Sequence, residues 1–249
     1  MRILLVGYGT MGHEVEKLLP RRGHTVAARV DPLDGAAEYR SLDGVPAADV
    51  DMAIEFSAPG AARGNIEALA RLGISAVVGT TGWYGELPEV RKRVQESGIG
   101  LLYGSNFSIG AHLFFALAAS AARMVNALPE YDLAVLEMHH RHKKDSPSGT
   151  ALATAKTILA NCTRKKRIVT ERMDRSIAEE ELHVASLRGG EFPGKHSVFL
   201  DSAADTVEIS HAARSRGGFA LGAVLAAEWL AGKKGCFEVS EFMKELLAE

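Results

Sequence analysis

The stretch "EMHHRHKKDSPSGTA", Glu137 to Ala151, places three histidines, one arginine and two lysines between His139 and Lys144. The rest of the 249-residue chain is almost neutral, because 29 basic and 31 acidic residues leave a formal charge of -2. Histidine and lysine can transfer protons, and clustered cations bind carboxylates. The segment therefore predicts a site for a small, multiply anionic substrate, with proton donors beside it.

Three other interpretations compete with this one. A run of charges is commonly a solvated loop, histidines can bind a metal ion, and a basic loop can bind nucleic acid or an acidic partner. The metal interpretation is weak, because no carboxylate or cysteine completes a recognised ligand spacing. The nucleic-acid interpretation is also weak, because no wider basic or aromatic surface supports the loop.

The geometry of a strand limits how these side chains can work together. If "YDLAVLEMHH" continued as a strand, His139 and Lys143 would share one face but lie about 13 Å apart. We therefore expect the chain to bend after His140. Ser148 then suits the N-cap of a helix, and the amides of Gly149 and Thr150 in its first turn can bind a carboxylate.

A second motif lies at the start of the chain. Gly7, Gly9 and Gly12 form a G-x-G-x-x-G turn between a buried strand and a helix, the setting in which this pattern binds a dinucleotide. Asp31 ends the next strand and is placed to bind an adenosine ribose, which favours NADH, whereas Arg29 is expected to pair with a carboxylate. An ordinary glycine-rich turn is the alternative.

The order of predicted elements indicates two domains. Short aliphatic strands alternate with helices up to Asn106, which predicts an α/β domain with a doubly wound, Rossmann-like parallel sheet. Three strand-like runs then follow one another without helices, which predicts a smaller α+β domain with a mixed or antiparallel sheet. We place the dinucleotide-binding domain at 1–107 and 217–249 and the second domain at 108–216. The loops "VGTTG" and "GSNFS" follow strands of the first sheet and should line the nicotinamide half of the cofactor.

Composition narrows the setting. The two cysteines, Cys162 and Cys236, are widely spaced and form neither a disulfide framework nor a zinc motif, so a cytoplasmic protein without a metal is expected. The apolar tract "LFFALAASAA" is about half of a membrane span, and the near-neutral charge gives no field for nucleic acid. We expect neither a membrane nor a nucleic acid as partner.

Six stretches together resemble the 4-hydroxy-tetrahydrodipicolinate reductase (dihydrodipicolinate reductase) family, over nearly the whole chain and in the family's order. They are "GYGTMG", "VVGTTGW", "GSNFSIG", "EMHHRHKKDSPSGTA", "LRGGEFPGKHSVFL" and "VEISHAARSRGGFALGAVLAAEWL". The resemblance implies reduction of a small cyclic dicarboxylate with NADH or NADPH in the diaminopimelate route to lysine. It also implies a homotetramer assembled through the sheet of the second domain.

The resemblance also implies individual roles. His139 would be the catalytic acid/base and Lys143 the proton donor, while His140, Gly149 and Thr150 would bind the substrate. The implied cofactor contacts are Gly7, Tyr8, Gly9, Thr10, Met11, Gly12, Asp31, Gly79, Thr80, Thr81, Gly104, Ser105, Asn106 and Phe107. Two alternatives remain at this point: another two-domain Rossmann dehydrogenase acting on an amino or keto acid, and a dinucleotide-sensing module without catalysis.

Overall fold

The computed structural model describes residues 1–248 and divides into two compact units. The first unit comprises Met1–Ile109 and the chain from Arg216 onward, and the second comprises Gly110–Ser215. The first therefore draws on both ends of the chain. None of the described helices is long and apolar enough to cross a membrane.

The first unit is built on a parallel six-stranded sheet with the order β11-β5-β4-β3-β1-β2. The strands are β1 (Arg2–Val6), β2 (Thr25–Val30), β3 (Met52–Glu55), β4 (Ala76–Val78), β5 (Gly100–Tyr103) and β11 (Gly235–Glu238). The helices are α1 (Thr10–Leu18), α2 (Pro59–Leu72), α3 (Leu87–Ser97), α6 (Gly217–Leu230) and α7 (Val239–Leu247). Short 3₁₀ turns occur at Pro20–Arg22, Ala47–Asp49 and Tyr84–Glu86.

Both faces of this sheet are covered, which explains why its strands read as continuous aliphatic runs. Leu4 and Val6 of β1 face a core shared with α2 and α3, while Ile3 and Leu5 face a core shared with α1, α6 and α7. A parallel sheet covered in this way leaves the carboxyl ends of its strands as the place for ligands.

The second unit holds a five-stranded mixed sheet with the order β10-β9-β6-β8-β7. Strand β6 pairs parallel with β8 and antiparallel with β9. The elements are α4 (Ile109–Val125), β6 (Asp132–His139), α5 (Gly149–Asn161), β7 (Arg167–Val169), β8 (Glu181–Arg188), β9 (Lys195–Asp201) and β10 (Thr206–Ala212). Helices α4 and α5 pack on one face of the sheet, around a core that includes Phe114, Val135 and Ile158.

The predicted fold class is confirmed: a Rossmann-like parallel sheet is combined with a second unit that has a mixed sheet. Two details differ from the sequence reading. The edge strand β11, between α6 and α7, is not among the predicted elements. The three-residue strand β7 was not predicted, because a run this short carries no periodic signal.

Candidate active site

The basic segment begins where strand β6 ends. His139 is the last strand residue, and the chain turns at once, with the Lys143 N–H donating to the His140 carbonyl oxygen over 3.1 Å. The Arg141 N–H donates to the Gly190 carbonyl oxygen over 3.2 Å, which ties the turn to the end of β8. The turn carries Lys143 out of line with the strand and removes the 13 Å separation that an extended chain would impose.

Glu137 is the buried centre of the site. Its side chain has no exposed surface and receives two hydrogen bonds from the Arg188 guanidinium, at 2.7 and 2.9 Å. The Ser148 N–H donates to the same carboxylate over 3.1 Å, and so does the Nδ1–H of His139. Burial alone would raise the pKa of Glu137, but the donors, led by Arg188 and Ser186, hold it at about 2.

His139 and His196 are neutral imidazoles at neutral pH. Burial lowers the pKa of His139, although the hydrogen bond to Glu137 opposes this effect. Because ionised Glu137 accepts the Nδ1 proton, the other ring nitrogen, Nε2, is left with its lone pair. The His196 ring lies 5.1 Å away, and burial lowers its pKa to about 4. The Nε2 of His196 is hydrogen-bonded to the Ser148 hydroxyl over 2.9 Å.

Lys143 lies in the loop between β6 and helix α5. Its ammonium nitrogen lies 2.8 Å from the Asp145 carboxylate, and its charge contributes to the lowered pKa of His139. Ser148 is the N-cap of α5, as predicted, because its hydroxyl accepts the Ala151 N–H over 3.2 Å. The amides of Gly149 and Thr150 precede Ala151 in the first turn, where a helix offers N–H groups to an anion.

Three of these side chains could in geometric terms surround a cation. Ligand atoms of Glu137, His139 and His196 all lie within 4.8 Å of one another. The carboxylate, however, is already paired with Arg188 through both oxygens. A metal ion would have to displace a guanidinium from a buried, fully engaged carboxylate, so the cluster is better described as a hydrogen-bonded network.

The fifth predicted residue of this site, His140, is half-buried, and its ring lies 6.1 Å from that of His142. The Nδ1 atom of His140 is buried and has no hydrogen-bond partner among the described residues. The structure therefore places all five predicted catalytic and substrate-binding residues in one region of the second unit. Their roles stay predictions.

The glycine turn of the first unit fits a dinucleotide. Gly7 has φ +85°, and a Cβ there would lie 2.2 Å from the Phe56 carbonyl oxygen, so only glycine is tolerated. A Cβ on Gly12 would lie 2.5 Å from the Gly7 oxygen, so this glycine permits close packing of α1. A Cβ on Gly9, in contrast, would meet nothing within 4 Å. The exposed N-cap of α1 is thus open to a phosphate group.

Asp31 lies at the end of β2, beside this turn. Its carboxylate accepts the N–H groups of Tyr8 and Leu33, each over 2.8 Å, and that of Asp34 over 3.0 Å. Burial alone would raise the pKa of Asp31, but these backbone donors hold it below its usual value. Arg29 pairs with Glu16 and Glu38, as expected from the sequence.

A cavity of about 560 Å³ opens beside Gly7, Gly9 and Asp31, at the carboxyl ends of β1 to β3. Two cations line it. Arg40 is exposed and donates to the Asp34 carbonyl oxygen over 2.9 Å, and Arg71 comes from α2. Concave, largely apolar lining with a few polar groups is typical of a small-molecule site, and the position matches the adenosine half of a dinucleotide.

The remaining predicted cofactor residues differ in their surroundings. Thr10, Thr81 and Ser105 are exposed, and Met11 and Asn106 are half-buried. The Tyr8, Thr80 and Phe107 residues are buried, so any contact from their side chains is restricted. The close neighbours of Gly79 and Gly104 are Phe56 and Val239, which indicates packing roles for these two glycines.

Sequence reasoning missed the residues that hold His139. Side chains alternate along a strand, so Glu137 and His139 lie on the same face of β6. An acidic residue two positions before a histidine in a strand could therefore have indicated this pair. Arg188 and His196 come from strands β8 and β9, far along the chain. The register of the sheet brings these side chains to the site. His139 lies opposite Arg188 on β8, and Glu137 lies opposite His196 on β9.

Comparison with known proteins gives a consistent assignment for both units. The family model for the N-terminus of dihydrodipicolinate reductase matches residues 1–107, and the model for its C-terminus matches residues 110–243. A 4-hydroxy-tetrahydrodipicolinate reductase of Christiangramia forsetii is 37% identical over 99% of this chain and 99% of its own length. The reductase of the same name from Archaeoglobus fulgidus is 38% identical, covering 81% of this chain and 79% of its own.

The fold is also found in a solved structure, a dipicolinate-bound dihydrodipicolinate reductase from Paenisporosarcina sp. TG-14. The two chains align with a TM-score of 0.77 at 20% identity, over 96% of this chain and 97% of the other. This similarity extends over both units of the chain.

Proposed function

Because the chain belongs to the 4-hydroxy-tetrahydrodipicolinate reductase family, we propose that its second unit binds the substrate through Lys143 and the first turn of α5, with His139 beside it. The family assignment makes the chain an NAD(P)H-dependent oxidoreductase of diaminopimelate and lysine biosynthesis. It also sets aside the alternatives of an amino- or keto-acid dehydrogenase and a non-catalytic sensor.

One observation carries the proposal. The end of β6 and the start of α5 bring a neutral imidazole, an ammonium group and helix N–H groups to one place in the second unit. A dicarboxylate needs cationic and N–H partners, and the relative from Paenisporosarcina was solved with such a ligand, dipicolinate. The substrate class proposed here is a small cyclic dicarboxylate.

The reaction replaces the hydroxyl group at C4 of the cyclic imine by hydrogen and releases water. A nicotinamide cofactor, when bound, would supply the hydride. The departing hydroxyl needs one proton, and the Lys143 ammonium is the proposed donor. His139 is neutral, so its Nε2 lone pair accepts a hydrogen bond and can relay a proton, while Glu137 fixes the ring through Nδ1.

Gly149 and Thr150 would bind one substrate carboxylate through their amides, and His140 would contact the substrate from the turn. The helix amides are held in place before substrate arrives, because Ser148 caps the helix and Arg188 anchors the adjoining loop. A rigid site loses less entropy on binding.

We further propose NADH as the preferred cofactor. The Asp31 carboxylate sits where a ribose hydroxyl would bind and would repel a 2′-phosphate. Arg29 is engaged by two carboxylates, so it cannot readily offset that repulsion. Arg40 is the cation that could do so, and it lines the same cavity.

A homotetramer and a cytoplasmic location are the remaining parts of the proposal. The face of the second sheet opposite α4 and α5 carries Leu136, Met138, Leu187 and Phe199, and Leu187 is 46% exposed. Apolar side chains on an open sheet face favour contact with another copy of the chain.

The test is a steady-state assay of the purified chain with the aldolase-derived substrate and either NADH or NADPH. We expect substrate-dependent oxidation of the cofactor, inhibited by 2,6-pyridinedicarboxylate in competition with substrate. Turnover of amino or keto acids, with none of the cyclic imine, would contradict the proposal.

A further inference from the structure

Asp145 pairs with Lys143, a residue that the proposed substrate would also contact. Its carboxylate oxygen Oδ1 is 2.8 Å from the Lys143 ammonium, and its side chain is 54% exposed. Its carbonyl oxygen accepts a hydrogen bond from Arg188 over 2.6 Å, so the backbone at this position is held while the carboxylate remains at the surface.

The carboxylate also interacts with the helix start. The pKa of Asp145 lies below its ordinary value, chiefly because of Lys143 and with a contribution from the Gly149 N–H. The Asp145 carboxylate is thus already paired with the Lys143 ammonium, in the loop that leads into α5. Lys143 and Gly149 are two of the partners assigned above to a substrate carboxylate.

We infer that Asp145 is an internal occupant of the substrate's carboxylate subsite, which has to leave Lys143 and the start of α5 when the dicarboxylate binds. This inference rests on the proposed function. Two carboxylates in the place of one would repel each other, so the two occupants exclude one another. With Asp145 in place, the Lys143 ammonium is held in an ion pair before substrate arrives.

The exchange lowers the apparent affinity for substrate, because only the fraction of molecules with a vacated subsite can bind. The ion pair is partly exposed, and pairs of this kind are worth up to about 1 kcal/mol, or roughly fivefold in an equilibrium. Removing the competing charge should therefore tighten binding by about fivefold. A purely structural role for Asp145 would produce the opposite sign.

The test compares the wild-type chain with Asp145→Asn, which keeps the shape and removes the charge. Asp201→Asn is the matched control, because Asp201 is exposed at the far end of the same sheet, opposite Asp132. The dissociation constant of 2,6-pyridinedicarboxylate is measured by calorimetry with NADH present, and kcat and KM are measured with the cyclic imine.

We expect Asp145→Asn to lower both the dissociation constant and KM about fivefold, with kcat within about twofold of wild type and the control unchanged. An unchanged or weaker affinity in Asp145→Asn would overturn the inference. A crystal structure of the wild-type complex gives a second readout that needs no variant. The Lys143–Asp145 pair should be separated in it, and an intact 2.8 Å contact beside the bound ligand would also overturn the inference.

The outcomes separate this inference from the proposed function. Wild-type turnover combined with unimproved binding in Asp145→Asn would reject the role of Asp145 alone. Absent turnover combined with tighter dicarboxylate binding in the variant would reject the reaction and keep the exchange. No dicarboxylate binding to the wild-type chain would reject both.

Discussion

Replacing Glu137 by glutamine tests whether the buried carboxylate holds the site together. Glutamine keeps the shape but removes the charge that pairs with Arg188, and its amide offers one oxygen in place of the two that accept hydrogen bonds from Arg188 and His139. The donors around Glu137 lower its pKa from 4.5 to about 2. Because the side chain is fully buried, water screens these contacts little. At 1.36 kcal/mol per pKa unit, the ionised form contributes about 3 kcal/mol to stability at neutral pH.

We expect Glu137→Gln to lower the free energy of unfolding by about 3 kcal/mol in urea at pH 7. We also expect kcat to fall about 10- to 100-fold, because the Nδ1–H of His139 loses its ionised carboxylate acceptor. Glu208→Gln is the control, since Glu208 lies in the same sheet but is exposed and pairs with Lys195. Stability and kcat both equal to those of the control would refute the role given to Glu137.

Three further predictions address the imidazoles, the cofactor and the assembly. Burial lowers the pKa of His196 from 6.5 to about 4, so the free energy of unfolding should decrease as pH falls from 6.5 towards 4, by up to about 3 kcal/mol in total. In urea unfolding at pH 7 and pH 4.5, His196→Gln should show a smaller pH-dependent loss than wild type. The wild-type chain should have a higher kcat/KM with NADH than with NADPH. Asp31→Ser should shift this ratio towards NADPH by about tenfold, because it removes a charge that repels the 2′-phosphate. A wild-type preference for NADPH would show that attraction of the 2′-phosphate by Arg40 outweighs repulsion by Asp31. If the proposed homotetramer assembles through the second sheet, Leu187→Glu should dissociate it in sedimentation experiments, whereas Leu33→Glu, at another exposed leucine, should not. A tetramer that persists in Leu187→Glu would place the interface elsewhere.

The first unit could be predicted well from sequence because its signals are local. Each of its main features can be predicted from a short stretch of sequence. These features are the glycine turn, the aliphatic runs of four to six residues that form strands, and the helices that end at Gly73 and Gly98. Strand β11 was not predicted, because "GCFE" is short, half-buried and placed at the edge of the sheet. Its structure depends on pairing with β5, and sequence periodicity does not reveal that pairing.

In the second unit, only part of the candidate site could be predicted from short stretches of sequence. The bend at the end of β6 and the cap at Ser148 follow from residue types, so the regions of His139, Lys143 and Gly149 could be anticipated. The Arg188 and His196 contacts depend on a mixed sheet in which β6 lies between β8 and β9. The neutral state of His139 depends on burial, which those strands create.

The proton-donor role of Lys143 is tested most directly by the turnover of the cyclic imine in Lys143→Ala, compared with wild type and with Lys144→Ala. Lys144 is the exposed neighbour with the same charge and therefore controls for the local field. We expect Lys143→Ala to lose roughly 100-fold or more in kcat, with NADH affinity unchanged, while Lys144→Ala stays within about twofold of wild type. A near wild-type kcat for Lys143→Ala would contradict this role, because the reaction would then take its proton from another group.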